Sequence, residues 1–331
     1  MLESIHKPVL VALSGNEPLA QKISERLGIP LAKQNLDRFA DGEIRFNLDD
    51  SVRGANVYII QSTSAEGNNS VNDAWMELYI SIDALRRASA HSINIIMPYY
   101  GYARQDRKAR SREAITSRMV ADLLERVGAD RLVALDLHAT QIQGFFDIPV
   151  DHLIGAPILA DYLICNGYVD DNTVVASPDH GGVKRARELT QFLGLEESFV
   201  VLDKRRPTDQ KNTVEVMNLI GNVEGKTVIM VDDIIDTGNT IAQGAKLLKK
   251  KGATKVIAAA THALLNGNAV QNLQDSDFDH VVVTDSIVIP ESKKFPKLEI
   301  VSTDDLFAKA IEAIQDYKSV SPLFQNKYHR G

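Results

Sequence analysis

The chain has 331 residues, enough at roughly 150 per domain for about two domains. It is 44% hydrophobic, 24% charged and 6% aromatic, with 37 Lys and Arg against 44 Asp and Glu, a formal net charge of −7. That balance excludes a disordered or fibrous chain and supplies no overall basic coat for nucleic acid or a membrane surface. Cys165 is the single cysteine, so no intrachain disulfide can form and a cysteine-based zinc site is excluded. No stretch approaches 18 apolar residues, and residues 1–8 show no secretion signal. A cytoplasmic protein without membrane or nucleic-acid partners is expected.

In chain order, apolar and β-branched runs predict strands over residues 9–13, 57–61, 93–97, 132–137, 173–176, 199–202, 228–231, 256–260 and 281–283. Helical spacing fills the gaps. Leu19, Ile23 and Leu27 form a stripe ended by Gly28, and Leu78, Ile82 and Leu85 form another on the helix carrying Trp75. Ile115, Met119 and Leu123 recur before Gly128, and Ile241, Ala245 and Leu248 before Gly252. Strands alternating with helices predict an α/β fold with mainly parallel sheets flanked by helices. Several strands are apolar throughout, which suits sheets covered on both faces. Pro149, Gly155 and Pro157 punctuate a boundary between a domain over 1–150 and a second from 151.

The richest motif lies over residues 228–240, where four apolar residues run into Asp232 and Asp233 and then Asp236-Thr237-Gly238-Asn239-Thr240. A tight turn of small residues before a helix points backbone N–H groups at an anion. The two acids then suit ribose hydroxyls or a metal ion; a bare helix cap is the simpler alternative. Gly221 to Thr227 looks like a phosphate loop but has three residues between its glycines and precedes a strand, so it reads as a turn.

Residues 104–118 carry six basic side chains (Arg104, Arg107, Lys108, Arg110, Arg112, Arg118) against Asp106 and Glu113. Such a segment is either a solvated loop, a nucleic-acid patch, or, since it follows a strand end, a cationic loop closing over a polyphosphate. Asp136 and His138 follow one strand and Asp179 and His180 another, positions from which Mg²⁺ can be held. Lys204 and Arg206 leave a further strand, either as a surface turn or to neutralise a transferring group.

Taken together, Phe39-Ala-Asp41-Gly-Glu43, the run from Pro98 through Arg104-Gln105-Asp106, Asp136-Leu-His138, Ser177-Pro-Asp179, Asp203-Lys204-Arg-Arg206-Pro and the Asp232–Thr240 motif closely resemble the ribose-phosphate pyrophosphokinase family, in its phosphate-activated class. The resemblance spans nearly the whole chain. It implies two type I phosphoribosyltransferase-like domains, over 1–150 and 151–304, with a tail from about 305 to 331 packing back on the first. It implies transfer of the β,γ-diphosphoryl group of ATP to the anomeric hydroxyl of ribose 5-phosphate, with Mg²⁺. Phe39, Asp41 and Glu43 would contact the adenine of a neighbouring subunit, with Arg104, Gln105, Lys108 and Arg110 as further ATP contacts. His138 and Asp179, with Asp136 nearby, would be the metal positions, and Lys204 and Arg206 the catalytic pair. Arg206, Asp232 and Asp233 would face the sugar, and Asp236 to Thr240 its 5-phosphate.

The resemblance also implies a homo-oligomer, a hexamer built from dimers, with Ser51, Arg53, Ser319 and Ser321 at an allosteric site for activating inorganic phosphate and inhibitory ADP. One departure concerns the phosphate turn, where Gly238 comes earlier than the family's glycine and Asn239 takes the usual glycine position; Asn tolerates left-handed dihedrals better than most residues. Two alternatives use the same fold: a phosphoribosyltransferase, which consumes the diphosphate product, and a non-catalytic regulatory homologue.

Overall fold

The computed structural model describes residues 6–196, 199–205 and 216–324. These form two units, one of residues 6–154, 286–288 and 302–324, the other of 155–285 and 289–301.

The first unit runs β1 (Pro8–Ala12), α1 (Glu17–Leu27), β2 (Gln34–Arg38), β3 (Ile44–Leu48), β4 (Asn56–Ile60), α2 (Val71–Arg87), β5 (Ser92–Met97), α3 (Thr116–Val127), β6 (Arg131–Leu135) and β7 (Val150–Leu153). Its sheet has the order β1-β4-β5-β6-β7, and each pairing is parallel. Strands β4 and β6 are almost wholly buried because helices cover both faces. On α1, Leu19 and Ile23 turn inward, and Gly28 ends the helix at φ +63°, which a side chain resists. The α2 helix opens on a reciprocal cap between Ser70 and Asp73, and buries Leu78, Ile82 and Leu85 as their spacing requires.

The α3 helix departs from its sequence pattern. Its core face carries Ser117, Val120, Ala121 and Leu124, whereas Met119 and Leu123 are exposed. Residues 119 and 123 have the same four-residue spacing as 120 and 124, so periodicity alone left two adjacent stripes, and contact with α2 selected one of them. The Tyr79 hydroxyl, which donates to the Val120 carbonyl at 3.2 Å, marks the chosen rotation.

The second unit runs α4 (Ala156–Cys165), β8 (Thr173–Ser177), α5 (Val183–Phe192), β9 (Phe199–Arg205), β10 (Val216–Ile220), β11 (Thr227–Ile235), α6 (Asn239–Lys250), β12 (Lys255–Ala263), α7 (Ala269–Gln274), β13 (His280–Thr284) and β14 (Leu298–Val301). Its sheet order is β10-β9-β8-β11-β12-β13-β14, parallel except where β10 turns back against β9. Val174, Val228, Met230, Val256, Val281 and Leu248 belong to one buried cluster under this sheet. Residues 221–226 form the turn between β10 and β11. Gly221 sits there at φ +110°, where an added Cβ would lie 2.6 Å from Val200 Cγ1.

After β14 the chain re-enters the first unit as α8 (Asp304–Gln315), burying Leu306, Phe307 and Ile311. Arg26 on α1 pairs with Asp304 and reaches Asp305 at 3.2 Å. Burial alone would raise the Asp304 carboxyl; the hydrogen bonds from Arg26 and Ser302 more than reverse this and hold it below the usual range. A carboxyl lowered in the folded state stabilises above the unfolded aspartate range, near about 3.9, and ceases to do so as pH falls through its folded value. Because Arg26 is half-exposed, Arg26→Gln should cost only roughly 0.5–1 kcal/mol at pH 7. Urea unfolding should show that difference shrinking towards zero as pH falls through and below the folded value of Asp304.

Candidate functional site

Parallel register sets the loops of the first unit side by side. Ile60 pairs with Ile96 and Met97 with Ala134, so the segments beginning at Gln61, Pro98 and Asp136 all leave the same carboxyl edge. They are tied together there. The Thr63 hydroxyl donates to the Tyr99 carbonyl at 3.0 Å and accepts the Gly101 N–H at 2.7 Å. An added Cβ on Gly101 would meet the Thr63 carbonyl oxygen at 2.3 Å, so only glycine permits this approach. Gln105 is pinned to the start of α3: its side-chain oxygen accepts from the Thr116 hydroxyl at 2.5 Å and its carbonyl from the Ser117 N–H at 3.2 Å. Gln141 donates to Asp106 at 3.3 Å, joining this loop to the one that follows β6.

Beyond Asp106 the chain forms an exposed arm. The Glu113 carboxylate gathers the N–H groups of Ala109 and Arg110, each at 2.9 Å, and Arg112 takes φ +70°. Among the described residues, the side chains of Arg107, Lys108, Arg110 and Arg112 have no carboxylate within ion-pair reach. Four neighbouring cations without partners repel one another and favour a polyanion between them. Arg104 is exposed at the root of this arm.

Asp136 occupies φ +38° and donates its N–H to the Leu153 carbonyl at 2.9 Å, which turns the chain sharply so that His138 emerges exposed. His152 on β7 supports that turn by accepting the Leu137 N–H on Nε2 at 2.9 Å. Sequence reasoning overlooked His152, since it lies inside a strand whose sequence carries no apolar run.

Phe39, Asp41 and Glu43 lie on the tip of the antiparallel β2–β3 hairpin. The tip closes through the Phe39 N–H to the Glu43 carbonyl at 2.8 Å and the Glu43 N–H to the Asp41 carboxylate at 3.2 Å. Arg38 braces it on the start of α2, bonding Asp73 at 3.0 Å, Asn69 at 2.9 Å and the Gly42 carbonyl at 3.2 Å. Phe39 is 50% exposed, with the Arg45 guanidinium 5.3 Å from its ring centroid, and Arg45 itself pairs with Asp37 at 2.6 Å. An aromatic ring is thus held outward on a stiff support.

In the second unit β9, β8 and β11 are neighbours, which gathers the segments carrying Lys204, Asp179 and the Asp232–Asp233 pair at one carboxyl edge. The Asp179 carboxylate accepts the Gly182 N–H at 2.9 Å, and His180 contacts Asp203 at 3.0 Å, fastening the β8 loop to β9. Lys204 pairs in register with Met217; Arg206 lies outside the described residues. Asp233 is 4% exposed, and the Asp232 carboxylate beside it accepts the Asp233 N–H at 2.9 Å. Burial and the charge of Asp233 push the Asp232 carboxyl well above the ordinary range, an upward shift that Arg185 opposes. Arg185 had no signal in the sequence; its guanidinium lies 3.4 Å from each acid.

The turn after β11 is anchored from below. Asn266 donates to Asp236 at 2.8 Å and Asn272 to the Thr237 carbonyl at 2.8 Å. Gly238 takes φ +70° as the residue before α6, and Asn239 is already in the helix. The left-handed position therefore falls on glycine, and the tolerance of Asn for that conformation is not called upon. No side chain caps α6, and among the described residues the hydroxyls of Thr237 and Thr240 make no hydrogen bond. Exposed hydroxyls and the uncapped N–H groups of a three-turn helix suit a phosphate.

The remaining candidates stand at the opposite edge of the first sheet. Ser51 and Arg53 precede β4, with the Ser51 hydroxyl accepting the Arg53 N–H at 3.5 Å. At the end of α8, Gln315 bonds the Asn56 side chain at 3.1 Å, the Tyr58 hydroxyl at 2.9 Å and the His6 carbonyl at 2.7 Å. The tail bearing Ser319 and Ser321 leaves α8 at that edge, and the Ser321 N–H donates to Ser319 at 3.1 Å.

Two mainly parallel sheets, each with charged or small-residue loops at its carboxyl edge, define a protein of phosphoribosyltransferase-like architecture. Residues 8–128 match the family model described as the N-terminal domain of ribose phosphate pyrophosphokinase, and residues 173–325 match the phosphoribosyl synthetase-associated domain. The chain is 54% identical over 318 residues to ribose-phosphate pyrophosphokinase 2 of Enterococcus faecalis, covering 96% of each chain. It is 53% identical over 316 residues to ribose-phosphate pyrophosphokinase 1 of Streptococcus mutans, again with 96% of each covered. Among solved structures it resembles phosphoribosylpyrophosphate synthetase from Mycobacterium smegmatis, with a TM-score of 0.87, 41% identity, and 94% of this chain and 99% of that one covered. The chain belongs to the ribose-phosphate pyrophosphokinase family.

At Gly238 an alanine would be strained by the positive φ and would place its Cβ 3.0 Å from Leu273 Cγ, displacing α7 from the turn. On the assignment of this turn to the 5-phosphate, proposed below, Gly238→Ala should cost about 1–3 kcal/mol of stability and raise the KM for ribose 5-phosphate well above that of the wild type, with the KM for ATP nearly unchanged. Steady-state kinetics with each substrate varied in turn, beside a thermal melt, checks both effects.

Proposed function

We propose that this protein is a ribose-phosphate diphosphokinase, transferring the β,γ-diphosphoryl group of ATP to the C1 hydroxyl of ribose 5-phosphate to give phosphoribosyl diphosphate and AMP. The observation that carries this reading is the pairing, on one strand and turn, of the acids Asp232 and Asp233 with the uncapped start of α6. Carboxylates accept from sugar hydroxyls while the turn amides, Thr237 and Thr240 take the 5-phosphate. Arg104, Gln105 and the cations Lys108 and Arg110 hold the nucleotide's phosphates. Phe39, Asp41 and Glu43 serve the adenine of a neighbouring copy, in a homo-oligomer that we take to be a hexamer. The outward, braced Phe39 supports that role, because an exposed aromatic on a stiff hairpin favours a partner surface.

The C1 oxygen attacks the β-phosphorus in line, its proton departs, and the bond from the β-phosphorus to the oxygen shared with the α-phosphate breaks, leaving AMP. Charge grows on the leaving oxygen and on the transferred group. Lys204 and Arg206 are assigned to neutralise it, and closure of the 107–113 arm excludes the water that would otherwise hydrolyse ATP. Asp136, His138 and Asp179 are the positions assigned to Mg²⁺, which supplies charge neutralisation on the phosphate oxygens when bound. The donors are sparse: among the described residues no group of three or more His, Cys, Asp or Glu converges. Sparse protein donors fit Mg²⁺, which keeps waters and substrate phosphate oxygens in its shell rather than an all-protein cage.

Release of AMP from ATP that depends on ribose 5-phosphate, followed in a coupled assay, tests the reaction. Lys204→Ala should lower kcat by on the order of 100-fold or more while the KM for ATP moves little, since the role assigned to it arises in the transition state. An equal loss of ATP affinity with kcat preserved would remove that role.

For regulation, Ser51, Arg53, Ser319 and Ser321 form the proposed site for inorganic phosphate as activator and ADP as inhibitor. Their segments share the edge of the sheet opposite the catalytic loops. Titration with inorganic phosphate should raise activity in the wild type and leave Arg53→Ala flat; a flat wild-type response would dismiss the proposal.

A further inference from the structure

We propose that Arg185 is a positioning residue on the sugar side of the site, its guanidinium bridging Asp232 and Asp233 so that the two carboxylates stay converged for the ribose hydroxyls. This rests on the assignment of that acid pair to the sugar. The geometry is specific: NH1 lies 3.4 Å from Asp232 Oδ1 and NH2 3.4 Å from Asp233 Oδ1, one arm of the fork to each acid.

Its neighbours on α5 are engaged elsewhere. Lys184 faces Glu188 at 3.7 Å, and Arg187 lies over the Phe199 ring at 5.5 Å from its centroid. Only Arg185 among these three turns towards β11. It is three-quarters buried, so its charge is weakly screened.

Two adjacent carboxylates repel, and at least one would turn away or take up a proton, becoming a poorer acceptor for a hydroxyl donor. A cation between them opposes both tendencies. Arginine suits the position because its planar fork can face two carboxylates at once; a lysine ammonium is a single point charge on a flexible stem. The residue reaches the sugar through the acids, so it is not itself a group touching the reacting atoms.

A positioning role predicts a change in sugar discrimination that general loss of structure would not produce. A site built to bond a hydroxyl rejects an analogue lacking it, because its own polar groups are then left without a partner. The experiment measures kcat/KM for ribose 5-phosphate and for 2-deoxyribose 5-phosphate in wild type, Arg185→Gln and Arg185→Lys, with circular dichroism and thermal melts on each. For Arg185→Gln, the preference for ribose 5-phosphate should fall about tenfold or more, with the KM for ATP within about twofold of wild type. Arg185→Lys should recover part of the preference. An unchanged preference in folded Arg185→Gln overturns the proposal, as does an equal rise in the KM for both ATP and ribose 5-phosphate. Should Arg185→Gln prove unfolded, Arg185→Lys decides alone, a full wild-type preference counting against the need for the fork. Wild-type AMP release from ATP and ribose 5-phosphate separates the two levels: without it the function itself fails, whereas with it only the variants judge Arg185.

Discussion

A parallel strand delivers its chain to one edge of the sheet only, and in both units that edge receives the groups assigned to chemistry. In the first, the register of β4, β5 and β6 lines up the loops that follow them, so that Thr63, Gly101 and Asp136 start from adjacent rows. In the second, the order β9-β8-β11 does the same for Lys204, Asp179 and the acid pair. Crossovers through helices cover both faces of such sheets, which is why the strands beneath the loops carry apolar central runs. A rigid, dry platform thus supports short polar turns.

What stands on the platform is electrostatically costly without ligands. Four cations crowd the arm after Asp106, and two carboxylates adjoin at the end of β11, one of them displaced far from its usual protonation range. Folding alone gives no reason to collect like charges in this way. In the function proposed, polyphosphate and sugar hydroxyls supply the missing complement, and the local pairings, Glu113 with backbone amides and Arg185 with both acids, hold the groups in place. The opposite edge of the first sheet carries the tail contacts through Gln315.

Much of the scaffold was legible in one dimension, for identifiable reasons. Apolar runs marked β1, β4, β5, β6, β8, β9, β11, β12 and β13, since strands packed under helices on both faces demand them. The hairpin strands β2 and β3 and the edge strands β7, β10 and β14 carried mixed or polar patterns and gave no comparable mark. On α3 the periodic stripe through Met119 and Leu123 was the wrong one of two neighbours, since spacing fixes a helix but not its rotation. The turn at Gly238 shows a related limit: Asn239 looked like the strained position until the backbone placed the positive φ one residue earlier.

Sequence by itself determined the fold class, the order of the motifs and the family, because apolar periodicity and contiguous motifs are local properties written along the chain. It also named Asp232, Asp233 and the basic arm, whose composition is unusual within a few residues. Tertiary structure alone decided which helix face is buried, that His152 supports the Asp136 turn, and that Arg185 stands between the two acids. Those facts depend on lateral neighbours: Arg185 lies 47 positions from Asp232 in the chain and meets it only because β8, which leads into α5, pairs beside β11. Contacts across a sheet follow from strand order, and no local pattern of residues records that order.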